Sequence, residues 1–283
     1  MLPANNRMGL SELLFFGDLA KRAYDFWASR GAPFSSDGFM ATHSAFVRQS
    51  IDLVPQIDAF PPEQIDAAIA SVLSHLASIV KAYHKEASVS VNANYMVPYD
   101  PTAELREVAL FTRKDRDPNS FRCFLKLEQW ADDSSACPSV VLPVENSDGV
   151  DAQLFGAPKA FALKRPQIVG DTWDITSLAL EHENEKIRRE IHSFFAEEQK
   201  ERLRSFASFP VVAPVNVPHS CPTSVIGVLN LDANRKHLLG FHQSNQRKLG
   251  LALEPVVHVL SHFLVRRHWR QTEEETGAGV TAS

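Results

Sequence analysis

Three cysteines, Cys123, Cys137 and Cys221, are the strongest potential nucleophiles in this chain of 283 residues. No CxxC spacing joins them, and their odd number builds no disulfide framework. Cys123 lies in an alternating apolar run, Cys137 in a polar loop and Cys221 in a proline-bounded turn, so none has a local activating pattern. The plain reading is reduced, cytosolic thiols. His258 and His262 stand one helical turn apart, a spacing that can grip a transition metal. Val259 and Leu260 follow His258 where a zinc hydrolase would carry glutamate, so the pair reads as helix-surface or interface residues and no metal is expected. Glu181-His182-Glu183 reads as a solvated helix start. No G-x-S-x-G elbow, phosphate loop or dinucleotide fingerprint occurs, and the 12 glycines are scattered. The residues assemble no catalytic constellation, and a non-enzyme is expected.

Hydrophobic residues make up 44% and charged residues 22%, which permits a sizeable core. The net charge of −5 leaves no basic footprint for nucleic acid or an anionic membrane surface. Glu12, Asp18, Lys21 and Arg22 interrupt the apolar stretch near the start, so no signal peptide is expected. No uninterrupted run of apolar residues is long enough to span a bilayer. The expectation is a cytoplasmic protein.

The elements follow from periodicity. Residues 9–29 carry a helical stripe, and Ser35-Ser36-Asp37 offers caps for a second helix over about 38–53. The clearest helix spans 61–86, opened by Pro61-Pro62 and striped by Ile65, Ile69, Val72, Leu73, Leu76, Val80 and Tyr83. The period then becomes two: Val89, Val91, Ala93, Tyr95 and Val97 alternate with Ser90, Asn92, Asn94 and Met96. Residues 105–112, 121–130 and 139–144 are further strand candidates. A short helix over 156–163 leads to a strand at 167–169. Residues 178–206 carry nearly balanced charge and read as one solvated helix laced with i,i+4 pairs. Strands at 209–217 and 224–232 precede a closing helix at 243–268, and the tail from 271 reads as disordered. The class is α+β, with an antiparallel sheet and the two long helices on one face.

Three segments resemble the GAF family of sensor domains. One is Gly156 to Val169 (GAPKAFALKRPQIV) followed by Asp171. The others are Ser205 to Val215 (SFASFPVVAPV) and Ser224 to Asp232 (SVIGVLNLD), with Phe241 and Asn245-Gln246 after them. The resemblance covers about 61–268 in matching order. It leaves 1–60 as a helical extension and 269–283 as a tail. It implies a central sheet of about six strands, with the terminal helices behind and a ligand pocket in front under a lid from about 170–206. It also implies a homodimer through helices 61–86 and 243–268. No output segment accompanies the module, so its expected action is on a separate effector.

The function implied is small-molecule sensing for signal transduction; the alternative is a ligand-free dimerisation or interaction module. A cyclic-nucleotide signature would match at Asn230 and Phe241, but Asn245-Gln246 replaces its acidic pair. A linear tetrapyrrole would want a thioether cysteine or a pocket histidine, and a methionine-sulfoxide reductase a thiolate with a resolving thiol. No cofactor is named by these residues. The ligand-facing candidates begin with Asn92 and Asn94 on the polar face of the first strand, and Asn230 is a further one. Phe124 and Trp130 would stack on a planar ligand. Asp171 and Thr172 would hydrogen-bond at the lid entrance, and Arg189 and Arg204 would neutralise an anion.

Overall fold

The alternation at 91–97 sorts side chains to opposite sides of a sheet, and each side is buried differently. The computed structural model describes residues 43–45, 48, 59–84, 88–100, 102–110, 120–131, 139–146, 154–179, 185–199, 201–213, 225–239 and 243–278. The helices expected at 9–29 and, for the most part, at 38–53 lie outside them. Residues 43–45 and 48 are helical, and His43 Nε2 donates to the Ala252 carbonyl at 3.1 Å.

The strands are β1 (Val91–Tyr99), β2 (Phe121–Trp130), β3 (Val141–Glu145), β4 (Gln167–Val169), β5 (Ser205–Val212) and β6 (Val225–Ala233). They form one six-stranded sheet in the order β3-β2-β1-β6-β5-β4, antiparallel at every pairing. The fold is therefore α+β with an antiparallel centre, as the sequence pattern predicts. At Gly227 an added Cβ would sit 2.8 Å from the Met96 carbonyl oxygen, so only glycine allows β6 this close to β1.

One face is closed by α1 (Pro62–His84) and by the terminal helix, α6 (Gln243–Ala278). Ile65, Ile69, Leu73, Leu76 and Ile79 of α1 are buried against Leu249, Leu253, Val256, Leu260 and Phe263 of α6. Ala93, Tyr95, Ala207, Leu229 and Leu231 of the sheet complete this core. Both helices contain stretches long and apolar enough by composition to cross a membrane, and this packing uses much of that apolar surface. Each fully buried aliphatic side chain here contributes roughly 1.5–3 kcal/mol. The terminal helix continues to Ala278, past the end expected at 268.

Two segments depart from the expected elements. Residues expected to begin a strand at 105 instead form α2 (Ala103–Val108). Thr102 Oγ1 accepts from Leu105 N at 3.2 Å and Glu104 stands in the first turn, so the chain is capped into a helix. The single charged helix expected over 178–206 is broken. The front of the sheet carries α3 (Ala157–Leu163), α4 (Thr172–Ala179), α5 (Glu185–Ser193) and a π-helical turn, Phe194–Glu198. β5 then begins at Ser205, not at Phe209. Leu238 N donates to Ser205 Oγ at 3.0 Å, so a buried hydroxyl is satisfied inside the new strand.

Candidate functional site

Between the front of the sheet and the α4–α5 lid lies a cavity of about 670 Å³. That is within the range of small-molecule sites, roughly 300–1,000 Å³. Its floor is made by alternate residues of β1, β5 and β6. Asn94 faces Asn230 across β1–β6, and Asn230 faces Ser208 across β6–β5. In the next rank Asn92 faces Asp232, which faces Phe206.

A directed chain of hydrogen bonds crosses this floor. Ser208 Oγ donates to Asn230 Oδ1 at 2.7 Å, and Asn230 Nδ2 donates to Asn94 Oδ1 at 2.9 Å. Asn94 Nδ2 then reaches both oxygens of Asp232 at 3.4 Å. Ser208, Asn94 and Asn230 are buried, and each has a partner, as buried polar groups require. Asp232 ends the chain. Burial raises its pKa and the Asn94 bond pulls against it, leaving it at about 7.

The walls are apolar. Met96, Leu127 and Leu142 come from the sheet, Leu154 and Phe155 precede α3, and Ile175 and Ile191 descend from the lid. The π-helical turn places consecutive phenylalanines at the cavity. Phe194 and Phe195 meet edge-on at 5.0 Å, and Phe195 stacks on Phe206 at 6.1 Å. Gly156 forms the corner at φ +77°, where an added Cβ would lie 2.7 Å from the Phe206 ring.

The sequence-derived candidates divide between this cavity and other places. Asn92, Asn94 and Asn230 line it. Phe124 does not: it is fully buried with Phe121 and Val141 behind α2 and offers no ring face to a ligand. Trp130 ends β2 opposite Asn94, and its side chain lies outside the described residues.

Asp171 and Thr172 fasten the lid. Thr172 Oγ1 donates to the Leu203 carbonyl at 3.0 Å, and Asp171 caps α4 by accepting from Trp173 N at 3.2 Å. Asp171 also pairs with Arg204 at 3.1 Å and with Lys236. Burial alone would raise the Asp171 pKa, but Lys236, the Trp173 N–H and Arg204 together hold it below the usual carboxylate value. Arg204 is thus committed to Asp171 and lies over the Trp173 ring at 5.0 Å. Arg189 is exposed and pairs with Glu185 one turn earlier on α5. Neither arginine lines the cavity as an anion partner.

Sequence reasoning missed Ser208, Asp232 and the Phe194–Phe195–Phe206 wall. The signal for two of them was present: Asp232 follows Asn230, and Ser208 follows Phe206, at the two-residue step that keeps side chains on one face. Cys123 is buried among Met96, Leu125 and Leu127 and does not line the cavity. Cys137, Cys221 and Phe241 lie outside the described residues. His258 and His262 approach to 3.3 Å on α6, away from the cavity; burial, then His258, lowers His262 to about 4. Among the described residues no group of three or more metal-ligating side chains gathers.

No family model matches this sequence, and no curated protein does. Solved structures do. One is fRMsr of Staphylococcus aureus in complex with substrate, at 13% identity and a TM-score of 0.32, covering 72% of this chain and 95% of that one. The GAF domain region of a protein from Geobacter sulfurreducens PCA matches with the same identity, coverage and TM-score, 0.32. The reduced form of the same fRMsr matches at 12% identity, TM-score 0.32, covering 72% of this chain and 94% of that one.

Proposed function

We propose that this protein is a cytoplasmic small-molecule sensor that binds its ligand in the front cavity and signals through the helices behind the sheet. The observation that carries this reading is an open cavity with an apolar wall and a hydrogen-bonded polar floor. A pocket filled by its own aromatics would have favoured a ligand-free interaction module.

The floor has a physical connection to the helices. On β1, Asn94 faces the cavity and its neighbour Tyr95 faces the other side. The Tyr95 hydroxyl accepts from Arg267 of α6, and Arg267 also pairs with Asp66 of α1 at 3.0 Å and Glu128 of β2 at 3.6 Å. A ligand that shifts β1 by rearranging Asn94 therefore acts on a clamp between the two helices. Such coupling requires the ligand to favour one arrangement of the clamp over another. The helices α1 and α6 form the homodimer in this reading, and a separate effector receives the change.

The test is hydrogen exchange on the purified chain, with and without the small-molecule fraction extracted from its source cells. The reading expects slower exchange in the lid and β1, and altered exchange in α1 and α6. In Arg267→Met the lid response persists and the α6 response is lost. Unchanged exchange throughout would reject it.

A further inference from the structure

The cavity floor contains one feature that its hydrogen bonds leave unbalanced. Asp232 sits at the end of the Ser208–Asn230–Asn94 chain, and its carboxyl accepts only from Asn94 among the described residues, at 3.4 Å to each oxygen. The ion pairs of the described residues leave it out, and no neighbouring cation contributes to its acidity. Asp232 is half-buried, and a carboxylate partly withdrawn from water without a counter-ion carries a desolvation penalty that an incoming cation would offset.

The other charged groups lining the cavity are Glu201 and Arg202, adjacent in sequence, opposite in sign and exposed at the lid edge. Fixed charge in the cavity is therefore set by Asp232. Asn92 stands directly across the β1–β6 pairing from it, which keeps the two side chains within reach of one small group. Phe194, Phe195 and Phe206 stand on the wall beside this pair.

Resting on the small-molecule reading above, we propose that the ligand is a protonated amine with an apolar body. Its ammonium group donates to the Asp232 carboxylate and the Asn92 side-chain oxygen, and its body packs against the three phenylalanines. The geometry favours a compact ammonium with N–H donors, since the Asp232 carboxylate and the Asn92 amide stand opposite each other across the pairing and both line the cavity. An anion would meet Asp232, and a neutral isostere would leave the carboxylate uncompensated. The aromatic faces add cation–π attraction to the same charge.

The test uses the full chain and three probes that share one body: phenylbutylamine, phenylbutanol and phenylpentanoate. Calorimetry at pH 8 is expected to show the amine binding about tenfold or more tightly than the alcohol, with the carboxylate weakest. At pH 6 amine binding displaces the Asp232 proton, so its apparent enthalpy changes with the ionisation enthalpy of the buffer; the alcohol's does not. Asp232→Asn keeps the shape of the floor and is expected to bring the amine down to the alcohol's affinity and remove the buffer dependence. Asn92→Leu weakens the amine alone and serves if the first variant does not fold. If alcohol and amine bind alike, or the carboxylate binds best, the cation assignment is overturned and the pocket reading stands. If none of the three binds, both fall.

Discussion

The two faces of the sheet are built from alternate residues of the same strands, yet they solve burial in opposite ways. Behind, Ala93, Tyr95, Leu229 and Leu231 meet two helices, and the interior is almost wholly apolar. In front, Asn94, Asn230, Ser208 and Asp232 are covered by a lid that leaves a cavity of about 670 Å³. The back is organised for stability, because each contact there removes apolar surface from water. The front retains polar groups that cost stability unless every one is satisfied. Asp232 accepts from Asn94 at both oxygens but has no cation beside it among the described residues. A fold that needed only stability would not keep a cation-free carboxyl there, and the contrast points to the front as the working face.

Removing bulk from the back should have the largest effect. Leu76→Ala empties a fully buried position between α1 and the sheet. It is expected to cost about 2–5 kcal/mol in chemical denaturation. A loss under about 1 kcal/mol would mean the two faces are less different than described.

Asp232→Asn should do the reverse on the front. The folded-state pKa is raised to about 7 from 3.8. The neutral acid is therefore accommodated at low pH, and stability is lost as pH rises from about 4 through 7. The variant lacks that ionisation. It should be more stable than the parent at pH 8, by an amount on the order of 1–4 kcal/mol, and nearly equal to it at pH 4. Urea melts across this range check it; a variant destabilised equally at both pH values would contradict the buried-acid assignment.

Breaking the hydrogen-bond chain comes next. Asn230→Leu leaves the Ser208 hydroxyl and the Asn94 carbonyl oxygen without their partner on the floor. The expected loss is about 1–3 kcal/mol, with Ser208→Ala in the same background recovering part of it. The smallest effect belongs to Arg189→Ala, because both it and its partner Glu185 are solvent-exposed. It should change stability by less than about 0.5 kcal/mol and leave ligand affinity unchanged. A marked fall in affinity for an anionic ligand would return Arg189 to the site.

Much of this contrast was legible in the sequence, because a strand's two-residue period states which residues share a face. That rule alone puts Asn92 and Asn94 on one face, and both line the cavity; the stripes at 61–86 and 243–268 identified the back. Single residues whose partners are distant in sequence were harder. Asp171 and Arg204 have types suited to a ligand, but they are spent on each other and on Lys236. That pairing depends on the path of β4 and β5, which periodicity does not reveal. Phe124 shares an alternating strand with Cys123 and Leu125, and which side carries the cavity at that edge depends on α2, a helix set by the Thr102 cap. The lid was misread as one helix because balanced charge masks its breaks. The π-helical turn that brings Phe194 and Phe195 to the cavity leaves no periodic trace.

The central claim is that the front cavity holds a small molecule. Native mass spectrometry of the protein, exposed to the metabolite extract of its source cells and exchanged into volatile buffer, measures it directly. The account predicts one non-covalent adduct of small-molecule mass per chain, lost on unfolding. Bare chain mass before and after exposure to the extract would contradict it.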